Sequence, residues 1–428
     1  MGLKVAVVGG GSTYTPELVE GFVTRGDRLP VDELVLLDPD AERLEVVGGL
    51  AGRMLRRAGW TGSLVLTADR DRAIEGADFV LVQLRVGGQA ARLSDETLPL
   101  RFGCIGQETT GPGGFAKALR TVPLVLELAE RAAERAAAGA WIVDFTNPTG
   151  IVTQALLDDG HRAVGLCNVA IGFQRRFAAT FEVEPDRVAL EHVGLNHLSW
   201  ERAVLLDGTD RLPELIERFG LELADDIGLP LELFRLLGAI PSYYLRYYYR
   251  TDQVLREETE PGHRTRAEEV MDIERGLLEL YRDPSLDRKP ELLSERGGAF
   301  YSEAAAQLIA SLHAGTGDVQ VVDVRNDGAL PELPADAVVE VPARVDADGA
   351  HTLPLAPLAP EMLGLVQEAK AYERLAVQAA VTGSRDAALK ALMANPLVPS
   401  FDVAAPLLDA ILRENRGLLP RFWPQDPA

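Results

Sequence analysis

Over roughly the first two hundred residues, short apolar runs alternate with stretches of helical period. Leu3–Val8 leads into Gly9-Gly10-Gly11-Ser12, and Pro16 then opens a helical pattern. Further buried-strand runs are expected at Glu33–Leu37, Ser63–Thr67, Phe79–Leu84, Trp141–Phe145 and Ala163–Leu166, with helices around 40–58 and 115–138. This alternation predicts an α/β fold, a Rossmann-like and mainly parallel sheet over residues 1–165. Beyond about residue 200 the period turns helical, near 212–225, 229–238, 266–281 and 301–314. Strands are expected again at Val319–Val324 and Ala337–Val341, then a proline-rich connection at Leu353–Pro360 and a long helix near 361–381. Residues 166–428 therefore read as a larger, helix-rich α+β domain for substrate and metal binding and for oligomerisation.

In an open parallel sheet, ligands gather beyond the carboxyl ends of the strands. Those ends carry unusual residues: Gly9, Asp38, Gln83 and Arg85, Thr146-Asn147-Pro148, and Cys167-Asn168. Gly9 and Gly11 fill the first two positions of a G-x-G-x-x-G nucleotide loop, with Ser12 following. Tyr14 stands at the third position, which weakens the motif on its own. Asp38 closes the second strand, where a carboxylate accepts ribose hydroxyls and repels a 2′-phosphate, so NAD is preferred to NADP.

Composition narrows the partners. A chain of 428 residues favours two domains, and 47% hydrophobic with 25% charged residues is ordinary for a globular protein. A formal charge of −22 argues against nucleic-acid binding, so any anionic ligand needs a local basic pocket. Only Cys104 and Cys167 are present, too few for a disulfide framework, and no apolar run approaches the ~20 residues that span a bilayer. A soluble, cytoplasmic protein with no membrane partner is expected.

Cys167 and His197 lie thirty residues apart, downstream of the glycine loop. Taken singly, each also fits a buried structural role. Two protein ligands cannot close a structural zinc site, so a metal held by this pair keeps open positions and is catalytic. Ligand softness favours zinc or iron, whereas sugar oxygens and water favour manganese, and residue chemistry leaves the choice open.

Several blocks together resemble the NAD- and Mn²⁺-dependent family 4 glycoside hydrolases: Val8–Thr13, Gly106–Gly114, Phe145–Pro148, Cys167-Asn168 and Gly194–His197. The resemblance spans roughly residues 3–310. It implies NAD and Mn²⁺ as cofactors, with Cys167 and His197 as metal ligands and Asn147 and Arg92 beside the sugar. Asn168, after the cysteine, is similar to the subgroup acting on 6-phospho-β-glucosides. Within Tyr244-Leu245-Arg246-Tyr247-Tyr248, Tyr244 matches the catalytic base, with Tyr243 as its rival, and Arg264 matches the phosphate ligand. The implied reaction is hydrolysis through transient oxidation at C3, deprotonation at C2, elimination of the aglycone, water addition and re-reduction. A phosphorylated small-molecule glycoside is the expected partner, and a homodimer or homotetramer the expected assembly. Asp144 departs from the family, which often carries a neutral residue there.

Two other functions fit the glycine loop. An ordinary NAD-dependent dehydrogenase of a sugar or hydroxy acid would accumulate NADH, and a nucleotide-sensing regulator would bind without turnover.

Overall fold

The computed structural model describes residues 2–26, 28–298 and 300–423. Six strands, β1 (Leu3–Val8), β2 (Val31–Leu37), β3 (Ser63–Thr67), β4 (Phe79–Val82), β5 (Trp141–Asp144) and β6 (Ala163–Gly165), pair in parallel in the order 3-2-1-4-5-6. This is the doubly wound order, and its switch point lies between β1 and β4. Each strand is nearly continuously apolar because both faces are covered. Along β1, Ala6 and Val8 join a core with the helices Gly111–Arg135 and Pro360–Thr382. Val5 and Val7 face the opposite way, against the helices Thr15–Thr24, Ala41–Arg57 and Tyr301–Ala314. The Rossmann-like sheet and helix-rich second half are as expected.

The second half also adds strands. β7 (Val188–Leu195) and β8 (Leu198–Leu206) form an antiparallel hairpin, flanked by the short β9 (Thr209–Asp210) and β10 (Ile240–Pro241). β11 (Asp318–Arg325), β12 (Val338–Asp346) and β13 (Gly349–Thr352) continue the large sheet beyond β6, antiparallel, to nine strands. Residues on both sides of position 165 therefore share one sheet. A third core of Cys167, Val193, Leu195, Trp200, Val339 and Val341 joins the hairpin to β12.

The hairpin lies outside the strands expected from apolar runs. Its two strands carry Glu191, His192, Glu201 and Arg202, and the buried charges among them break the alternation that marks a strand. The helices Arg385–Met393 and Phe401–Glu414 lie beyond the elements expected from the sequence and share a core with Gly111–Arg135. Among the described residues, no helix is long and apolar enough to cross a membrane.

Candidate active site

The strand ends singled out in the sequence converge on a single cavity of about 1050 Å³. Gly9 and Ser12 line it beyond β1, Asp38 beyond β2, Gln83 and Arg85 beyond β4, Asn147 beyond β5 and Asn168 beyond β6. Gly9 has a φ of +89°, and a Cβ there would meet the Gln83 carbonyl oxygen at 2.8 Å, so both conformation and space require glycine. The Gly11 N–H donates to Asp38 Oδ2 at 3.0 Å, which locks the loop to the second strand. Gly11 itself lies behind the cavity wall.

More distant residues brace this loop. Arg43 Nε donates to the Gly11 carbonyl at 2.8 Å and pairs with Glu274 at 3.0 Å, while Arg296 Nε donates to Thr13 Oγ1 at 2.7 Å. Tyr14, at the position a dinucleotide loop often gives to glycine, is buried, and its hydroxyl donates to the Gly298 carbonyl. The loop is therefore closed by an aromatic side chain reaching the second half of the chain, where close helix packing on glycine was the alternative.

A cluster of cations also lines the cavity. Glu108 accepts ion pairs from Arg85, from Lys117 at 2.6 Å and from Arg92 at 3.4 Å, and Arg92 also pairs with Glu96 at 2.7 Å. Burial disfavours the Glu108 charge, but these cations outweigh it and hold the carboxyl well below its ordinary range. Burial lowers Lys117 to about 7. Eight Lys and Arg side chains line the whole cavity against four carboxylates. An acidic chain thus offers a positively charged interior to a pyrophosphate or a phosphoester.

Beneath the Asn168 edge sit the proposed metal ligands. Cys167 is buried at the end of β6, and His197 is buried in the turn between β7 and β8. The Tyr244 ring stacks on His197 with 3.6 Å between centroids, and Tyr243 leans on Tyr244 at 4.4 Å. Cys167 is close enough to Tyr243, Tyr244 and Tyr301 for its charge to bear on all three phenols, so thiol, imidazole and tyrosines form one cluster. Burial lowers His197 to about 4, leaving a neutral imidazole near neutral pH, and its Nδ1 is buried with no hydrogen-bond partner. A neutral imidazole whose buried Nδ1 is claimed by no other group suits a divalent transition metal. Among the described residues, no three His, Cys, Asp or Glu side chains group to hold a metal.

Arg264 is not brought to this cavity. It is exposed and pairs with Asp272 at 2.6 Å, just before a capping box in which Thr265 and Glu268 start the helix Arg266–Arg282. Arg266, two residues on, does line the cavity. Cys104 is buried in the core behind β4.

Asp144, unexplained from the sequence, is fully buried and accepts from Thr146 N at 3.0 Å and Thr153 Oγ1 at 3.4 Å. Burial pushes its carboxyl well above the ordinary range, so it stands as a neutral acid and matches the neutral residue common at that position. A carboxyl raised on folding weakens the fold as pH climbs from its unfolded value, near 4, towards its folded one. Asp144→Asn should therefore raise Tm at pH 8 more than at pH 4; an equal change at both would show Asp144 ionised in the fold.

Comparison with known proteins agrees with this geometry. The profile described as Family 4 glycosyl hydrolase matches residues 4–183, and that of the Family 4 glycosyl hydrolase C-terminal domain matches 192–398. The chain is 45% identical to a Bacillus subtilis strain 168 protein named "Probable 6-phospho-beta-glucosidase", covering 99% of this chain and 98% of that one. It is 36% identical to the Escherichia coli K12 6-phospho-beta-glucosidase, covering 98% and 97%. The Thermotoga maritima 6-phospho-beta glucosidase, solved with manganese, NAD+ and glucose-6-phosphate, superposes with a TM-score of 0.92 at 37% identity, covering 97% and 99%. A lactate dehydrogenase from a deep-sea metagenome shares the fold alone, at 12% identity and a TM-score of 0.55. With both profiles matched along nearly its whole length, the chain belongs to glycosyl hydrolase family 4.

Proposed function

We propose that this protein hydrolyses 6-phospho-β-glucosides with NAD and Mn²⁺ as cofactors. The observation that carries the reading is the Tyr244 ring, which lines the cavity and stacks on His197, with Cys167-Asn168 following β6 at the same sheet edge as the glycine loop. Relatives named for this activity match over the whole chain.

Gly9, Gly11, Ser12 and Asp38 would receive the dinucleotide, and Cys167 and His197 the metal ion. When bound, NAD supplies a reversible hydride acceptor and the metal ion a Lewis acid for sugar oxygens. Asn147 and Asn168 line the cavity on the sugar side, where amides can donate to and accept from hydroxyls. Tyr244 takes the proton from the sugar carbon. Burial holds its phenol well above the ordinary value, so it serves as base only when positive charge beside His197 favours the phenolate. Residues 1–165 thus supply the dinucleotide site and residues 166–428 the metal ligands and base, across a shared sheet.

For the phosphate, the cationic wall of Arg85, Arg92 and Lys117 is the stronger candidate, because Arg264 lies outside its own chain's cavity. Arg85→Ala should raise KM for a 6-phosphoglycoside on the order of tenfold more than for the unphosphorylated glycoside, since charged hydrogen bonds are worth about 1.5–3 kcal/mol. A selective loss in Arg264→Ala instead would bring that arginine to the phosphate from outside the cavity.

The decisive assay is turnover of a chromogenic 6-phospho-β-glucoside with and without NAD+, Mn²⁺ and a thiol reductant. Aglycone release should need both cofactors, with no net NADH absorbance. Accumulating NADH would identify a dehydrogenase. The reductant protects Cys167, which could not ligate metal once oxidised. We also infer a cytoplasmic homodimer or homotetramer, to be read by light scattering of the purified chain.

A further inference from the structure

β7 and β8 meet in the two-residue turn Asn196-His197, and His197 sits there with a φ of +62°. A non-glycine residue in the left-handed region is uncommon, though histidine enters it more readily than most, and it is held there by its surroundings. The surroundings here are specific. The Asn196 side-chain amide donates to Glu340 Oε2 on β12 at 2.9 Å. Glu340 Oε1 lies 2.8 Å from His192 Nε2, and His192 Nδ1 lies 2.7 Å from Glu201 Oε1 on β8. None of His192, Glu201 and Glu340 is more than 1% exposed.

Burial works against a charge on His192, but Glu201 and Glu340 outweigh it and raise the ring to about 10, so both ring nitrogens donate. Both carboxylates therefore accept from one buried ring. Glu340 is thus hydrogen-bonded at once to this ring and to Asn196, the residue beside His197. Nothing in the proposed chemistry uses this triad, and an apolar core would stabilise the hairpin at least as well. A buried carboxylate behind a metal-binding imidazole, tied to the turn that carries it, has a different use.

We propose that Glu340, clamped by His192 and tied to Asn196, is a positioning residue that holds the His197 turn against β12 and sets the affinity for the divalent ion. This rests on Cys167 and His197 being the metal ligands. Supporting groups of this kind change metal affinity by about 10–100-fold when removed. A merely structural triad would lower thermal stability and leave the affinity of the folded protein unchanged.

The test titrates the full chain with Mn²⁺ alone, reading free Mn²⁺ by electron paramagnetic resonance, and separately with NAD+. Asn196→Ala removes only the tie to the turn, and Glu340→Gln removes the charge while keeping the shape. Each should weaken Mn²⁺ binding by about tenfold or more, with NAD+ affinity within about twofold of wild type. Mn²⁺ affinity equal to wild type in the folded variants would overturn the proposal, as would parallel losses of Mn²⁺ and NAD+ binding. If Glu340→Gln does not fold, Asn196→Ala decides alone. Cys167→Ser separates the two claims: if it binds Mn²⁺ as wild type does, the ligand assignment itself falls.

Discussion

Replacing Cys167 with serine should abolish Mn²⁺ binding and lower kcat/KM on the order of a thousandfold, while leaving NAD+ binding intact. The magnitude follows from the several kcal/mol a Lewis acid contributes, at about tenfold per 1.4 kcal/mol. Serine keeps nearly the same volume in a site that is only 4% exposed, so the core of Val193, Leu195 and Trp200 around it should survive. The hydroxyl cannot replace a thiolate, because its proton is far harder to remove near neutral pH. Burial already pushes the Cys167 thiol well above its ordinary value, so in the wild type the ion must displace that proton. Metal affinity of the wild type should accordingly rise with pH across the neutral range. Stopped turnover with unchanged Mn²⁺ affinity would show that Cys167 acts on the reaction by another route. Chelating the metal from the wild type should reproduce the loss, and added Mn²⁺ should reverse it only where Cys167 is present.

The parts of this site that were legible in the chain are those written locally. A β-branched run ending in Gly9-Gly10-Gly11, an aspartate closing the second strand and a cysteine closing the sixth need only the parallel-sheet rule to bring them to one edge. His197 was legible through its motif, although the hairpin that carries it was not, because His192 and Glu201 interrupt the apolar pattern with charges satisfied only in three dimensions. Glu340 is 148 residues from His192, and no local spacing reports such a pair. The same holds for Arg296 and Glu274, which brace the nucleotide loop from the far half of the chain. Arg264 was reached differently, through the family's spacing. Yet Thr265-Arg266-Ala267-Glu268 is itself a capping-box pattern that fixes where the helix begins, leaving Arg264 exposed outside the cavity and Arg266 lining it.

Tyr244→Phe should lower kcat by about 10²–10⁴-fold, the usual worth of a positioned acid–base group, and stop exchange of the sugar C2 proton with solvent. The substitution is selective because phenylalanine keeps the ring that stacks on His197 at 3.6 Å, so the metal ligands and their packing are retained. Mn²⁺ and NAD+ affinities should stay near wild type, and KM should change little, which assigns the loss to the reacting proton. Tyr243 supplies the internal comparison: it is 41% exposed, lines the same cavity and lies 4.4 Å from Tyr244 between ring centroids. Tyr244 is the ring stacked on His197, so Tyr243→Phe should cost far less in kcat. If exchange at C2 persists in Tyr244→Phe and disappears in Tyr243→Phe, the base is Tyr243. The pH profile separates the roles further. Burial raises the Tyr244 phenol, so the base limb of kcat/KM in the wild type reports that residue once the metal's charge favours its ionisation. That limb should move upward when Mn²⁺ is replaced by a less acidic divalent ion, because a weaker field leaves the Tyr244 proton more firmly held.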